Sequence, residues 1–99
     1  KAELIDMKFS VLVPVYNVKP YIAECLDSIL NQGYEDMELI VVNDGSTDGS
    51  EEICREYEKR FPGRLRLIEQ WNRGLLLARR AAIDVAQGDY LIFVDRMTH

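Results

Sequence analysis

Val41-Val42-Asn43-Asp44-Gly45-Ser46-Thr47-Asp48-Gly49-Ser50 decides how this chain folds, because a fully apolar strand there runs into a short polar turn that opens a helix. A strand apolar on both faces, here Leu39 to Val42, belongs in the interior of a sheet with helices over each side. Its carboxyl end presents Asp44 as a fixed hydrogen-bond acceptor, and Gly45 and Gly49 let the backbone pass close to a ligand. Asp48 with Glu51 three residues on reads as a capping-box-like helix start, the carboxylates satisfying amide N–H groups that the helix leaves unpaired. Taken alone, these acids would be helix caps and nothing more.

The flanking sequence points further. Ser10-Val11-Leu12-Val13-Pro14-Val15-Tyr16-Asn17 is a second apolar strand that ends in polar and aromatic groups, and Tyr90-Leu91-Ile92-Phe93-Val94-Asp95 is a third of the same kind. Between them the helical stripe Tyr21, Ile22, Cys25, Leu26, Ile29, Leu30 starts near Pro20 and is expected to end at Gly33. A second helix turns Ile53, Cys54, Tyr57 and Phe61 inward and stops at Pro62-Gly63. Leu65 and Leu67 alternate with Arg64 and Arg66, the half-exposed pattern of an edge strand. A third helix, Leu75 to Gln87, offers Ala78, Ala81, Ala82, Val85 and Ala86 as a small-residue face, with Gly88 expected to close it. Strand and helix thus alternate from Phe9 onward, the signature of stacked βαβ units and a parallel sheet. With the third strand at the edge, the strand order is 3-2-1-4. The order reverses beside the first strand, and open α/β sheets bind ligands at the carboxyl ends there, where Tyr16, Asp44 and Asp95 are expected to converge.

Composition narrows the field. The 17 acidic residues against 12 basic ones, a formal charge of −5, argue against a nucleic-acid binder, which would carry a basic face. Arg55, Arg60, Arg64 and Arg66 are read as a solvated helix face and an edge strand. Cys25 and Cys54 fall on the apolar sides of two helices and are expected to be buried free thiols, with a disulfide left open. No apolar run reaches the roughly 18 to 20 residues of a membrane span, and the N-terminus lacks a signal-peptide layout, which favours a cytoplasmic protein. Residues 1–8 have no clean period and are read as a leader segment or a cloning remnant.

Four pieces in order carry a resemblance: Val13-Pro14-Val15-Tyr16-Asn17, Leu26-Asp27-Ser28-Ile29-Leu30-Asn31-Gln32, Val42-Asn43-Asp44-Gly45-Ser46-Thr47-Asp48 and Ala86-Gln87-Gly88-Asp89-Tyr90-Leu91. Over Phe9 to Asp95 the chain resembles the N-terminal, nucleotide-binding half of family 2 glycosyltransferases, whose fold is the Rossmann-like, three-layer GT-A core. The resemblance implies a donor site for a nucleoside-diphosphate sugar, often a UDP-sugar, with Mn or Mg across the diphosphate, and a glycan or lipid-linked acceptor. It implies that Pro14 and Tyr16 line the base pocket, that Asp44 accepts a hydrogen bond from the base, and that Asn17 and Asn43 complete the nucleotide-binding set. Asn72-x-Gly74 followed by Ala78-Arg79 matches the segment near the sugar diphosphate, where Arg79 would pair with phosphate. Without a known family, Tyr16 would equally be a core or rim tyrosine and Arg79 a surface arginine.

The chain departs from the family at Leu76, Arg80 and Ala82, where relatives carry Ser, Asn and Gly. It departs again after the fourth strand, where the family's Asp-x-Asp metal motif reads Asp95-Arg96-Met97. Asp95 keeps one hard oxygen ligand, but a thioether at Met97 is a poor ligand for Mg or Mn, so the cation site is expected to be weakened. His99 is read as a chain end rather than a replacement ligand. The acceptor half and its general base are expected beyond His99, so residues 9–99 are read as the truncated donor half of an enzyme of bacterial type, its parent at the inner face of the membrane. The competing reading is a non-catalytic nucleotide-binding or interaction module derived from the same fold. A dinucleotide-dependent oxidoreductase is excluded, because Pro14-Val15-Tyr16-Asn17 stands where Gly-x-Gly-x-x-Gly would follow the first strand. A receiver-type signalling domain would need clustered acids at that strand's end.

Overall fold

The computed structural model describes residues 8–32 and 36–94. Strands β1 (Phe9–Val15), β2 (Met37–Asp44), β3 (Leu65–Gln70) and β4 (Tyr90–Phe93) alternate with helices α1 (Lys19–Leu30), α2 (Ser50–Arg60) and α3 (Leu75–Val85). The four strands form one sheet in the order β3-β2-β1-β4, and every pair is parallel. The expected order and edge strand are therefore observed. Two crossovers carry the chain from β1 out to β3, and the third returns past both strands to β4. With right-handed crossovers, reversing the direction of travel moves the connecting helix to the opposite face.

The core shows that division residue by residue. Val11, Val13 and Val15 of β1 and Met37, Leu39 and Val41 of β2 pack on one face with Ile22, Leu26 and Leu30 of α1 and Cys54 and Tyr57 of α2. Leu12, Ile40 and Val42 point the other way onto Ala78 and Ala82 of α3. The period of two along each strand is the reason a run apolar on both faces sits in the sheet interior. The alanines of α3 let its backbone approach the strands closely. Cys25 and Cys54 are free thiols, the first half-buried and the second buried. Burial, with the nearby charges of Glu69 and Glu51, pushes the Cys54 thiol up to about 12.

Helix α1 ends at Leu30 with Asn31 at its C-cap, and Gly33, expected to end it, lies outside the described residues. At the end of α3 the helix stops at Val85, with Ala86 already extended, so Gly88 does not close it. Gly88 is needed for another reason: a Cβ there would lie 2.5 Å from Ser10 Oγ and 2.7 Å from Ser10 N. Its N–H donates to Ser10 Oγ at 2.8 Å, and that hydroxyl donates to Glu38 Oε2, clasping the approach to β4 onto β1. The start of α2 is also shifted. Gly49, at φ 102°, takes the cap position, so the Asp48 carboxylate accepts from Ser50 N (2.9 Å) and Glu51 from Gly49 N (3.0 Å), spacings of two rather than three.

Candidate functional site

Three loops meet at the carboxyl ends of β1, β2 and β3, and hydrogen bonds lock them together. Ser46 of the second loop, Ser50 at the start of α2 and Asp48 of the loop accept, in turn, the N–H groups of Asn17 (3.0 Å), Val18 (3.1 Å) and Lys19 (3.0 Å). Asn17, at φ 50°, returns the contact by accepting from Thr47 N at 2.8 Å. The polar run after β2 thus caps the N-terminus of α1 as well as that of α2, replacing the side-chain cap that Val18 cannot supply. Asn43 is buried and accepts from Ser46 N at 3.1 Å, tightening the same turn. Burial raises the Asp48 carboxyl, but the hydrogen bonds from Ser50 and Lys19 outweigh it and hold the group below its ordinary value.

The third loop is fixed by Asp44. This carboxylate is 5% exposed. It accepts from Gln70 Nε2 (2.9 Å) and Arg73 N (2.5 Å) on one oxygen and from Gly74 N (2.8 Å) on the other. The loop in turn presses on the second: a Cβ on Gly45, which sits at φ +78°, would come within 2.8 Å of Asn72 N. Here glycine serves both the turn and the close approach. Asp44 was expected to stand on a polar turn facing a ligand, and it does end β2, but its side chain is tied into the 70–74 loop.

Between the loops lies a cleft of about 580 Å³ whose lining includes Tyr16, Asn43, Ser46, Glu69, Gln70 and Trp71. Tyr16 is 49% exposed and Trp71 86%, so two aromatic side chains stand at a polar cleft largely uncovered. Arg55, read from sequence as part of a solvated face, lines the same cleft and pairs with Glu69 through two hydrogen bonds, Nε to Oε2 at 3.0 Å and Nη2 to Oε1 at 2.7 Å. The Arg55 bond holds the Glu69 carboxyl below its ordinary value, against a rise from burial, and Asn43 adds a further hydrogen bond. Flat apolar surfaces beside fixed amide and carboxylate groups suit a planar heterocycle with N–H and C=O edges.

Of the residues expected at the site, Tyr16 and Asn43 line the cleft, Asn17 and Asp44 hold its walls, and Pro14 lies half-buried in β1 opposite Val42. Pro14 has a topological consequence. Leu12 O accepts from Val94 N on the β4 side, so the N–H that Pro14 lacks falls on that same side, just past the last registered β1–β4 pair. One hydrogen bond of the β1–β4 ladder is therefore missing beside the switch point. Arg79 is not among the cleft-lining residues; its guanidinium lies over the Phe93 ring, 5.5 Å from the centroid, beside the end of β4. Asp95 and Met97 lie outside the described residues. Among the described residues no group of three His, Cys, Asp or Glu side chains could hold a metal ion. Sequence reasoning passed over Trp71, Gln70 and the Arg55–Glu69 pair; the available signal was a lone tryptophan in a polar loop directly after an edge strand.

The parallel sheet, its helices on both faces and the cleft at its carboxyl ends define an open α/β domain of the GT-A kind. The chain belongs to glycosyltransferase family 2: the profile of Glycosyl transferase family 2 matches residues 10–96. It is 50% identical over 92 residues to glycosyltransferase GlyA of Streptococcus pneumoniae serotype 4, covering 93% of this chain and 13% of that protein. Among solved structures it is similar to S. aureus TarS in complex with UDP-GlcNAc, at TM-score 0.78 and 35% identity over 90% of this chain and 26% of that one. A mannosyltransferase from Pyrobaculum calidifontis, PcManGT, in complex with GDP-Man and Mn2+, also matches at TM-score 0.78 and 35% identity, over 86% of this chain and 26% of its own. The chain therefore spans about a quarter of these solved chains and less of the curated relative. No helix among the described residues is long and apolar enough to cross a membrane.

Proposed function

We propose that this chain is the donor-binding half of an inverting-type glycosyltransferase and holds the nucleoside diphosphate of a UDP-sugar in the cleft between β1, β2 and β3, for transfer to a glycan or lipid-linked acceptor. The observation that carries the reading is the cleft itself: aromatic and polar groups gathered at the carboxyl ends of a parallel sheet by loops that hydrogen bonds have already fixed. Preformed loops need no ordering when ligand arrives, which favours binding. The structural neighbour that carries UDP-GlcNAc supports uridine as the base.

In this reading Tyr16 packs on the uracil face, with Pro14 behind it and Asn17 keeping the loop in place. Asn43 and Asp44 serve the base edge. A carboxylate offers about four lone-pair sites, so with three donors already bound Asp44 keeps one for the base. Arg79, beside the end of β4, serves the diphosphate, and Asp95 is the surviving ligand for Mn or Mg. A bound cation would neutralise charge on the departing diphosphate. In this reading the general base that deprotonates the acceptor hydroxyl belongs to the acceptor-binding part of the enzyme. Titration calorimetry with UDP and GDP tests the reading. UDP is expected to give saturable heat and GDP less, and absence of heat for both at millimolar concentration would overturn it. Uridine binding joined to lack of transfer by the whole protein would instead favour a non-catalytic nucleotide-binding module, the reading that Met97 supports.

A further inference from the structure

Trp71 has no structural task in the fold. Its side chain is 86% exposed, packs into neither core cluster, and stands on a loop whose backbone is held from beneath by Asp44 through Arg73 N and Gly74 N and braced against Gly45. A large apolar ring kept in water by a rigid loop is the kind of exposure that calls for a partner. It lines the same cleft as Tyr16, and the Ser46 and Asn17 hydrogen bonds fix the Tyr16 loop as firmly as Asp44 fixes the other.

Resting on the donor-site reading above, we infer that Trp71 is the second aromatic wall of the base pocket, so that the nucleobase is held between Tyr16 and Trp71 while Asn43 and Glu69 meet its edge. Two flat walls bind the ring through its faces, which every base shares, and leave discrimination to the polar groups between them. Glu69 is anchored for that task by Arg55 and Asn43. Stacking of one base on an aromatic ring corresponds to about a 5- to 150-fold effect on affinity when the ring is removed.

Trp71 is the chain's single tryptophan, so its emission reports on this position alone. UDP titration followed in parallel by calorimetry and by tryptophan fluorescence is expected to give one saturation curve in both signals. Trp71→Ala should weaken UDP about 5- to 150-fold at an unchanged melting temperature, and Trp71→Phe should recover most of the loss. With the native chain, 5,6-dihydro-UDP, which keeps the hydrogen-bonding edge but lacks the flat ring, should bind as poorly as UDP binds to Trp71→Ala. Calorimetric UDP binding with silent fluorescence, or equal affinity for UDP and dihydro-UDP, would overturn the role of Trp71 and leave the donor site standing. Absence of calorimetric binding would remove the donor site, and this inference with it.

Discussion

At the scale of single residues, Asp44 and Asp48 show how far a carboxylate's meaning depends on partners distant in sequence. Asp44 ends β2 and reaches across 26 to 30 residues to hold the 70–74 loop. Asp44→Ala leaves Gln70 Nε2 and two backbone N–H groups without their acceptor, and unmet buried donors cost about 1 to 3 kcal/mol. The variant is expected to lose stability of that order in urea unfolding together with its UDP affinity; full stability with lost binding would mean that Asp44 acts on the ligand alone. Asp48 has a lowered carboxyl, so the sign of its pH effect is fixed: its stabilisation is present above the ordinary value of 3.8 and is lost as pH falls through the lower folded value. Asp48→Asn should flatten that acid limb of the stability profile, and an identical limb in both proteins would show that the carboxylate is not linked to folding. From sequence both acids were legible as turn and cap residues. Their distant partners were not, because hydrogen bonds spanning 26 to 30 residues leave no local pattern.

At the scale of elements, the strands and helices were legible because each carries its own period, and the glycines were legible only as punctuation. Gly88 reads as a helix stop but acts as a contact: Ser10 N and Phe9 C would both lie within 3 Å of an added Cβ. Backbone cannot step aside as a side-chain tip can, so Gly88→Ala is expected to cost about 1 to 3 kcal/mol by overpacking. For a domain of this size each kcal/mol lowers the melting temperature by about 4 to 8 °C, which a thermal melt resolves. A melt unchanged by the substitution would contradict the packing of this segment on β1. Trp71 illustrates the opposite failure of reading: a single aromatic in a loop has no period, and only the third dimension shows that it shares a cleft with Tyr16.

At the scale of the whole molecule, sheet order followed from one half-exposed strand, since an edge at β3 and parallel crossovers leave few other arrangements. The candidate site was legible in its first two strands, where motif residues sit at strand ends, and only in part at its third loop, where Asn72 was expected but Gln70 and Trp71 were not. One hard ligand at Asp95 should bind a cation poorly, so Mn is expected to improve UDP affinity little, whereas Met97→Asp should make binding depend on Mn. Strong Mn dependence without the substitution would mean that other residues hold the ion. The central claim, that the cleft at the carboxyl ends of β1, β2 and β3 is where nucleotide binds, is tested most directly by amide chemical shifts of the 15N-labelled chain titrated with UDP. Shifts should concentrate at Tyr16, Asn17, Asn43 to Thr47 and Glu69 to Gly74, with the indole N–H of Trp71 among the largest. Shifts confined to the opposite end of the sheet, around Ser10, Glu38 and Gly88, or none at saturating UDP, would contradict it.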